Sequence, residues 1–180
     1  LHGRISNIPA KNVWADTRWE GNEFVMWVQG KVREVRVFGE NLVLTRRIWA
    51  KLGEPKLHIY DIIENDGFSE TPLMLLYHIN IGFPVVDEEA ELLAPSLEVK
   101  PRDEEAEKGI ESWSSFQPPT PGFKEQVFYH EMACDEHDHV YVALVNRKFD
   151  GGRGIGVYVR YHKSQLPRFV QWKMMGEGLY

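Results

Sequence analysis

Apolar and polar residues alternate along most of this chain with a period near two, the period of a β-strand. "EFVMWVQG" (23–30), "VREVRVFG" (32–39), "NLVLTRRIWA" (41–50) and "KLHIYDII" (56–63) are short and rich in β-branched and aromatic residues. "EQVFYHEMA" (125–133), "HVYVALVNR" (139–147), "GIGVYVRYH" (154–162) and "RFVQWK" (168–173) repeat the character. Gly, Asn, Pro or Asp closes each run, as turn chemistry requires. Asp150-Gly151-Gly152 is a strong hairpin signal. Helical periodicity is scarce; "DEEAEKGIESW" has room for one turn or two. No repeat of fixed period is visible. The pattern predicts an all-β, antiparallel sandwich or barrel.

"PLMLLYHINIGFP" (72–84) reads as a further, buried strand. Alternation then puts His78 and Asn80 on one face with Met74 and Leu76, and Tyr77 and Ile79 on the other. A buried His often donates to a backbone carbonyl, and an Asn near a strand end often starts a turn. Two such groups on one wall, ahead of Gly82, equally suit a ligand lying on the sheet. Residues 84–122 carry Pro84, Pro95, Pro101, Pro118, Pro119 and Pro121 with an acidic run, which predicts a long surface connection.

Composition narrows the function. The 180 residues fit a single domain, 43% hydrophobic and 27% charged. A net charge of -6 argues against a nucleic-acid partner. Apolar runs are strand-length, so no membrane-spanning helix is expected. The single Cys134 and the absence of a signal-peptide pattern suit a reducing, cytoplasmic setting. The chain opens at Leu1 without a methionine and closes at "KMMGEGLY"; both ends read as cuts through structured sequence, so a fragment of a longer protein is expected.

Together, "LHGRISN", "ENLVLTRRI", "IIENDG", "PLMLLYHINIGFPVVD" and "LPRFVQWKMMGEGLY" resemble the aldose 1-epimerase (galactose mutarotase-like) proteins, in a bacterial branch of little characterisation. The resemblance covers nearly the whole chain and implies an antiparallel β-supersandwich. It also implies chemistry: interconversion of sugar anomers by proton transfer, with no metal or cofactor, on a hexose or modified hexose. The histidine of "YHIN" is then the general acid, here His78; histidine titrates near neutral pH and suits that task. The histidine of "HG", His2, would hydrogen-bond the sugar and help hold charge. Arg4 and Asn80 lie beside these motifs as substrate-binding candidates. Trp172 and Lys173 match a strand near the sugar site, Trp172 for C–H stacking or else core packing, Lys173 for an anionic substituent. The family's general base is a glutamate in a later strand, expected beyond Tyr180; Glu177, between Gly176 and Gly178, reads as a turn. A non-catalytic carbohydrate-binding protein is the alternative, and a homodimer is compatible with either.

"HEMACDEHDHV" gathers His130, Glu131, Asp135, His137, Asp138 and His139. An H-x-H pair begins some metal sites, but no Glu follows at short spacing, and a polar hairpin loop is the stronger reading. Arg160 and His162 share a strand face with Tyr158, lining a groove or facing water. Cys134 has no activating neighbour in the sequence.

Overall fold

The structure, a computed structural model, describes residues 3–178. The chain falls into two compact units, Leu1–Leu76 and Tyr77–Tyr180, where the sequence reads as one domain. All sheet pairings are antiparallel, as the alternation predicts.

The first unit is a four-stranded meander of β1 (Lys11–Glu20), β2 (Glu23–Val35), β3 (Asn41–Lys51) and β4 (His58–Asn65), in that spatial order. β1 and β2 meet through a two-residue turn, with Glu20 opposite Glu23 and Gly21 at φ +61°; the left-handed region favours glycine there. Gly30 does not end a strand, contrary to the expected break between 30 and 32. β2 runs through it, because the pairing of β1 shifts between Lys11 and Trp14 and brings Val13 and Ala10 against the Gly30 Cα. A Cβ at 30 would sit 3.3 Å from Val13 Cγ2. The glycine makes room for a bulge. Cross-strand pairs reinforce the register: Trp49 stacks on His58 at 3.7 Å, and Arg46 meets Asp61 through two hydrogen bonds of 2.8 and 2.7 Å.

The second unit contains two three-stranded sheets. β5 (Ala90–Leu93), β8 (His139–Asn146) and β9 (Ile155–His162) form one, in the order β5-β8-β9. β6 (Ser96–Pro101), β7 (Gln126–Met132) and β10 (Phe169–Lys173) form the other, in the order β10-β7-β6. Their inner faces share a core of Val85, Leu92, Met132, Val140, Val142 and Leu144, flanked by Trp113, Phe116 and Phe169. Asp150-Gly151-Gly152 lies in the β8–β9 connection with φ of 52°, 67° and 93°, so the hairpin signal is borne out. Helix in this unit amounts to the turn α1 (Glu104–Glu107) and a 3-10 turn at Ile110–Ser112, as "DEEAEKGIESW" suggests, and a turn at Phe149–Gly152 in which Asp150 and Gly151 depart from helical angles. The Asp103 side chain caps α1 by accepting from the Ala106 amide.

Two expectations are corrected. Residues 84–122 are not one long connection: they carry β5 and β6. Ala90 and Leu92 point into the core while Glu91 and Leu93 point out, a strand alternation that the prolines obscure. Pro95 falls between the strands, and Pro101 ends β6 at a sheet edge, where a missing N–H breaks no ladder. Conversely, residues 71–82 form no strand. Leu73, Met74, Leu76 and Ile79 are all more than half exposed. The run spans the boundary between the two compact units and pairs with none of the three sheets, so its apolar composition does not signal a buried strand.

Phe128, fully buried on β7, anchors the inner face. Phe128→Ala is expected to destabilise the second unit by about 3–5 kcal/mol, measured as a loss in urea unfolding free energy; a change below about 1 kcal/mol would contradict this placement.

Candidate functional site

The sequence-derived candidates divide between the two units. His2 lies outside the described residues. Arg4 sits in a 3-10 turn (Arg4–Asn7) of the first unit and forms ion pairs with Glu34, at 2.7 Å, and with Glu40. Glu40 is held below the usual carboxylate range by a hydrogen bond from its own backbone amide and by Arg4. The Arg4 guanidinium is therefore already engaged by two carboxylates.

His78 and Asn80 begin the second unit and are both exposed, in the stretch without a strand. The strand argument for a shared wall does not hold, because no pleat fixes their directions. Tyr77 is partly buried, whereas Ile79 is 56% exposed and does not pack beneath them. What remains is a solvent-accessible imidazole close in sequence to an exposed amide, followed by Gly82 and the cis Phe83–Pro84 peptide. Further along the chain, Asn146 on β8 donates to the Asp87 carboxylate at 2.6 Å and accepts from the amides of Lys148 and Phe149, fixing the chain just after Pro84.

Trp172 and Lys173 are neighbours on β10 and so face opposite ways. Trp172 is on the outer face, 43% exposed, and its indole Nε1 donates to Glu125 Oε2 at 2.7 Å. That bond, with the Arg102 contact at 3.0 Å, holds the Glu125 carboxyl below its usual range. Glu125 was not legible as a partner, since it lies before β7 and only the β7–β10 register brings it to the indole. Lys173 is on the inner face and 3% exposed. Its ammonium donates to the carbonyls of Ser112 and Ser115, at 3.0 and 2.7 Å, and lies 5.6 Å from the Phe116 ring centre. Burial pushes its pKa down. The expected contact from Lys173 to a charged substituent gives way to a structural bond.

The same inner face carries a histidine that the sequence reading placed in a strand run but gave no functional role. His130 is buried on β7 between the edges of the Trp113 and Phe169 rings. Gln171 donates its Nε2 to the Trp113 carbonyl at 2.7 Å, so its Oε1 accepts from His130 Nε2 at 3.2 Å. That fixes the neutral tautomer with the proton on Nε2, and Nδ1 then accepts from the Ser96 hydroxyl at 2.8 Å. Burial pushes the His130 pKa down, partly offset by Gln171.

Among the described residues, no three His, Cys, Asp or Glu side chains converge into a ready-made metal centre, and no helix is long and apolar enough to cross a membrane.

The paired antiparallel sheets and the minimal helix define an aldose epimerase-like β-sandwich. The chain is similar, with a TM-score of 0.86 and 26% identity, to a crystal structure reported as a "putative aldose 1-epimerase" from Klebsiella pneumoniae subsp. pneumoniae MGH 78578. The likeness covers 98% of this chain and 44% of that one, so this chain spans less than half the length of its structural relative. No curated protein matches the sequence. The chain belongs to the family described as domain of unknown function DUF4432, which matches residues 1–180.

Two outcomes follow from the inner face. Lys173→Met removes both hydrogen bonds that tie Ser112 and Ser115 to the sheet and is expected to lower stability by about 1–3 kcal/mol, read by chemical unfolding; an unchanged unfolding midpoint would leave Lys173 open as a ligand contact. For His130 the folded pKa is below the ordinary 6.5. The unfolded chain therefore binds the proton first, and stability falls as pH drops from 6.5 through the lowered folded value. Unfolding midpoints measured between pH 7.5 and 5 should show that slope, and His130→Asn should flatten it.

Proposed function

We propose that this chain contributes the acid side of an aldose 1-epimerase-type site, acting on a free or modified hexose. His78 protonates the ring oxygen of the cyclic sugar while a carboxylate base removes the proton from the anomeric hydroxyl. The bond between C1 and the ring oxygen breaks, giving the open-chain aldehyde. Rotation about C1–C2 and reclosure, with both proton transfers reversed, yields the other anomer. Asn80, beside His78 in sequence, binds a sugar hydroxyl, and His2 stabilises charge on the opening ring. Trp172 offers an exposed ring for C–H stacking. The proposal places the protein in the cytoplasm and needs no metal for turnover.

The observation that carries this reading is the likeness of fold across 98% of the chain to the structural relative described above. The exposure of His78 supports it, since a proton donor must reach its substrate. A carbohydrate-binding protein without turnover is the competing reading, which the exposed Trp172 ring suits equally well.

The test is anomer exchange, followed by NMR on a panel of aldoses with the protein that contains this chain. A positioned general acid contributes about 10²- to 10⁴-fold, so His78→Asn is expected to lower kcat by that factor with KM little changed. Full activity in His78→Asn would remove His78 from the mechanism. Saturable sugar binding with no acceleration of exchange would favour the binding protein.

A further inference from the structure

We propose that His139 and His162 form a two-imidazole chelate for a borderline divalent metal ion such as Zn²⁺, at the open end of the β8–β9 hairpin, opposite its connecting turn, and independent of the sugar site. The two residues are directly opposite in the β8–β9 register, with ring centres 4.5 Å apart and planes 38° from each other. The pair is thus set by a ladder rather than by a loop, and both side chains are part exposed, 20% for His139 and 45% for His162.

The second shell points the same way for both rings. His139 Nδ1 faces Asp135 Oδ2 at 3.6 Å, and His162 Nδ1 faces Asp138 Oδ2 at 3.9 Å. These are ion-pair distances, longer than a hydrogen bond. Each carboxylate is itself fixed: Asp135 Oδ1 accepts from the amides of His137 and His139, at 2.9 and 2.8 Å, and Asp138 accepts from the Ser164 amide, at 3.0 Å to Oδ2. A carboxylate on Nδ1 keeps the proton there and leaves Nε2 with its lone pair directed away, the arrangement that metal-binding histidines use. Two such Nε2 atoms on adjacent strands suit ions that prefer imidazole, with water completing the coordination. The absence of a third converging ligand makes this an open, moderate site rather than a structural one.

The experiment is Zn²⁺ titration of the metal-free protein by calorimetry, with the imidazole proton resonances followed by NMR. One ion per chain should bind, shifting two histidine spin systems, and His139→Asn or His162→Asn should each weaken binding at least tenfold. Asp135→Asn and Asp138→Asn retain a hydrogen-bond acceptor for the loop and should weaken it about threefold. Both histidines are part exposed, so the variants should keep the wild-type circular dichroism, which is checked on each. Zinc affinity that survives both histidine changes, or that disappears with Cys134→Ser in the neighbouring loop, would overturn the assignment. Binding no tighter than millimolar would overturn it as well. Anomer exchange measured in parallel separates this site from the sugar site: Zn²⁺ binding stands or falls on the calorimetry whether or not the protein turns over a sugar.

Discussion

Three buried polar side chains on the inner face of a sheet, Gln126, Gln171 and Lys173, need acceptors there, and the segment from Glu105 to Ser115 supplies them from its backbone carbonyls. Gln126 reaches the Glu105 carbonyl, Gln171 that of Trp113, and Lys173 those of Ser112 and Ser115. A buried donor left alone costs about 1–3 kcal/mol, so the three side chains, polar groups at core positions, depend on that segment lying over them. Gly109 follows from the same demand, because a Cβ there would collide with the Gln126 amide. The arrangement also fixes His130 through Gln171, so one histidine's tautomer depends on how a loop is tied down. The sheet and its covering segment are a single hydrogen-bonded object.

How much was legible in the sequence follows from the same physics. Eight strand-like runs were visible because alternation survives wherever one face is wet, and the meander of β2, β3 and β4 is of that kind. β1 escaped notice although Val13 and Trp14 lie in it, because its ten residues are all exposed and carry no buried stripe. β5 and β6 were hidden by prolines and acids that occupy only their ends and outer positions. The stretch 72–84 misled in the opposite direction: apolar density there accompanies a crossing between two compact units, not a buried strand. Lys173 and Trp172 show a finer limit. Adjacent strand residues must diverge, so a sequence match that takes both toward one ligand conflicts with the period of two.

The candidate chemistry was legible as residue types, and less so as geometry. His78 and Asn80 were noticed for being polar in an apolar run, which the structure keeps as an exposed pair of side chains rather than a wall. The partner of Trp172 could be found only through register, since 47 residues separate it from Glu125. The histidine-rich segment was read along the chain, as an H-x-H pair on one strand. The tighter pairing is across the ladder, His139 with His162, and no spacing rule within a single strand reports it.

β1 ends its sheet, and that position has a consequence for how the protein behaves in a crowd of its own copies. An edge presents a row of backbone donors and acceptors to any passing chain, and edges that stay soluble are usually interrupted or charged. Here the interruption is confined to the Lys11–Trp14 shift, beyond which Ala15 to Glu20 runs in unbroken register with β2. Asp16, Arg18 and Glu20 stand guard along that regular half, but Trp19 is 67% exposed among them. Self-recognition, whether as ordered strand addition or as the onset of aggregation, therefore has one place to begin on this sheet edge: the six residues where the ladder is regular and an aromatic ring is uncovered.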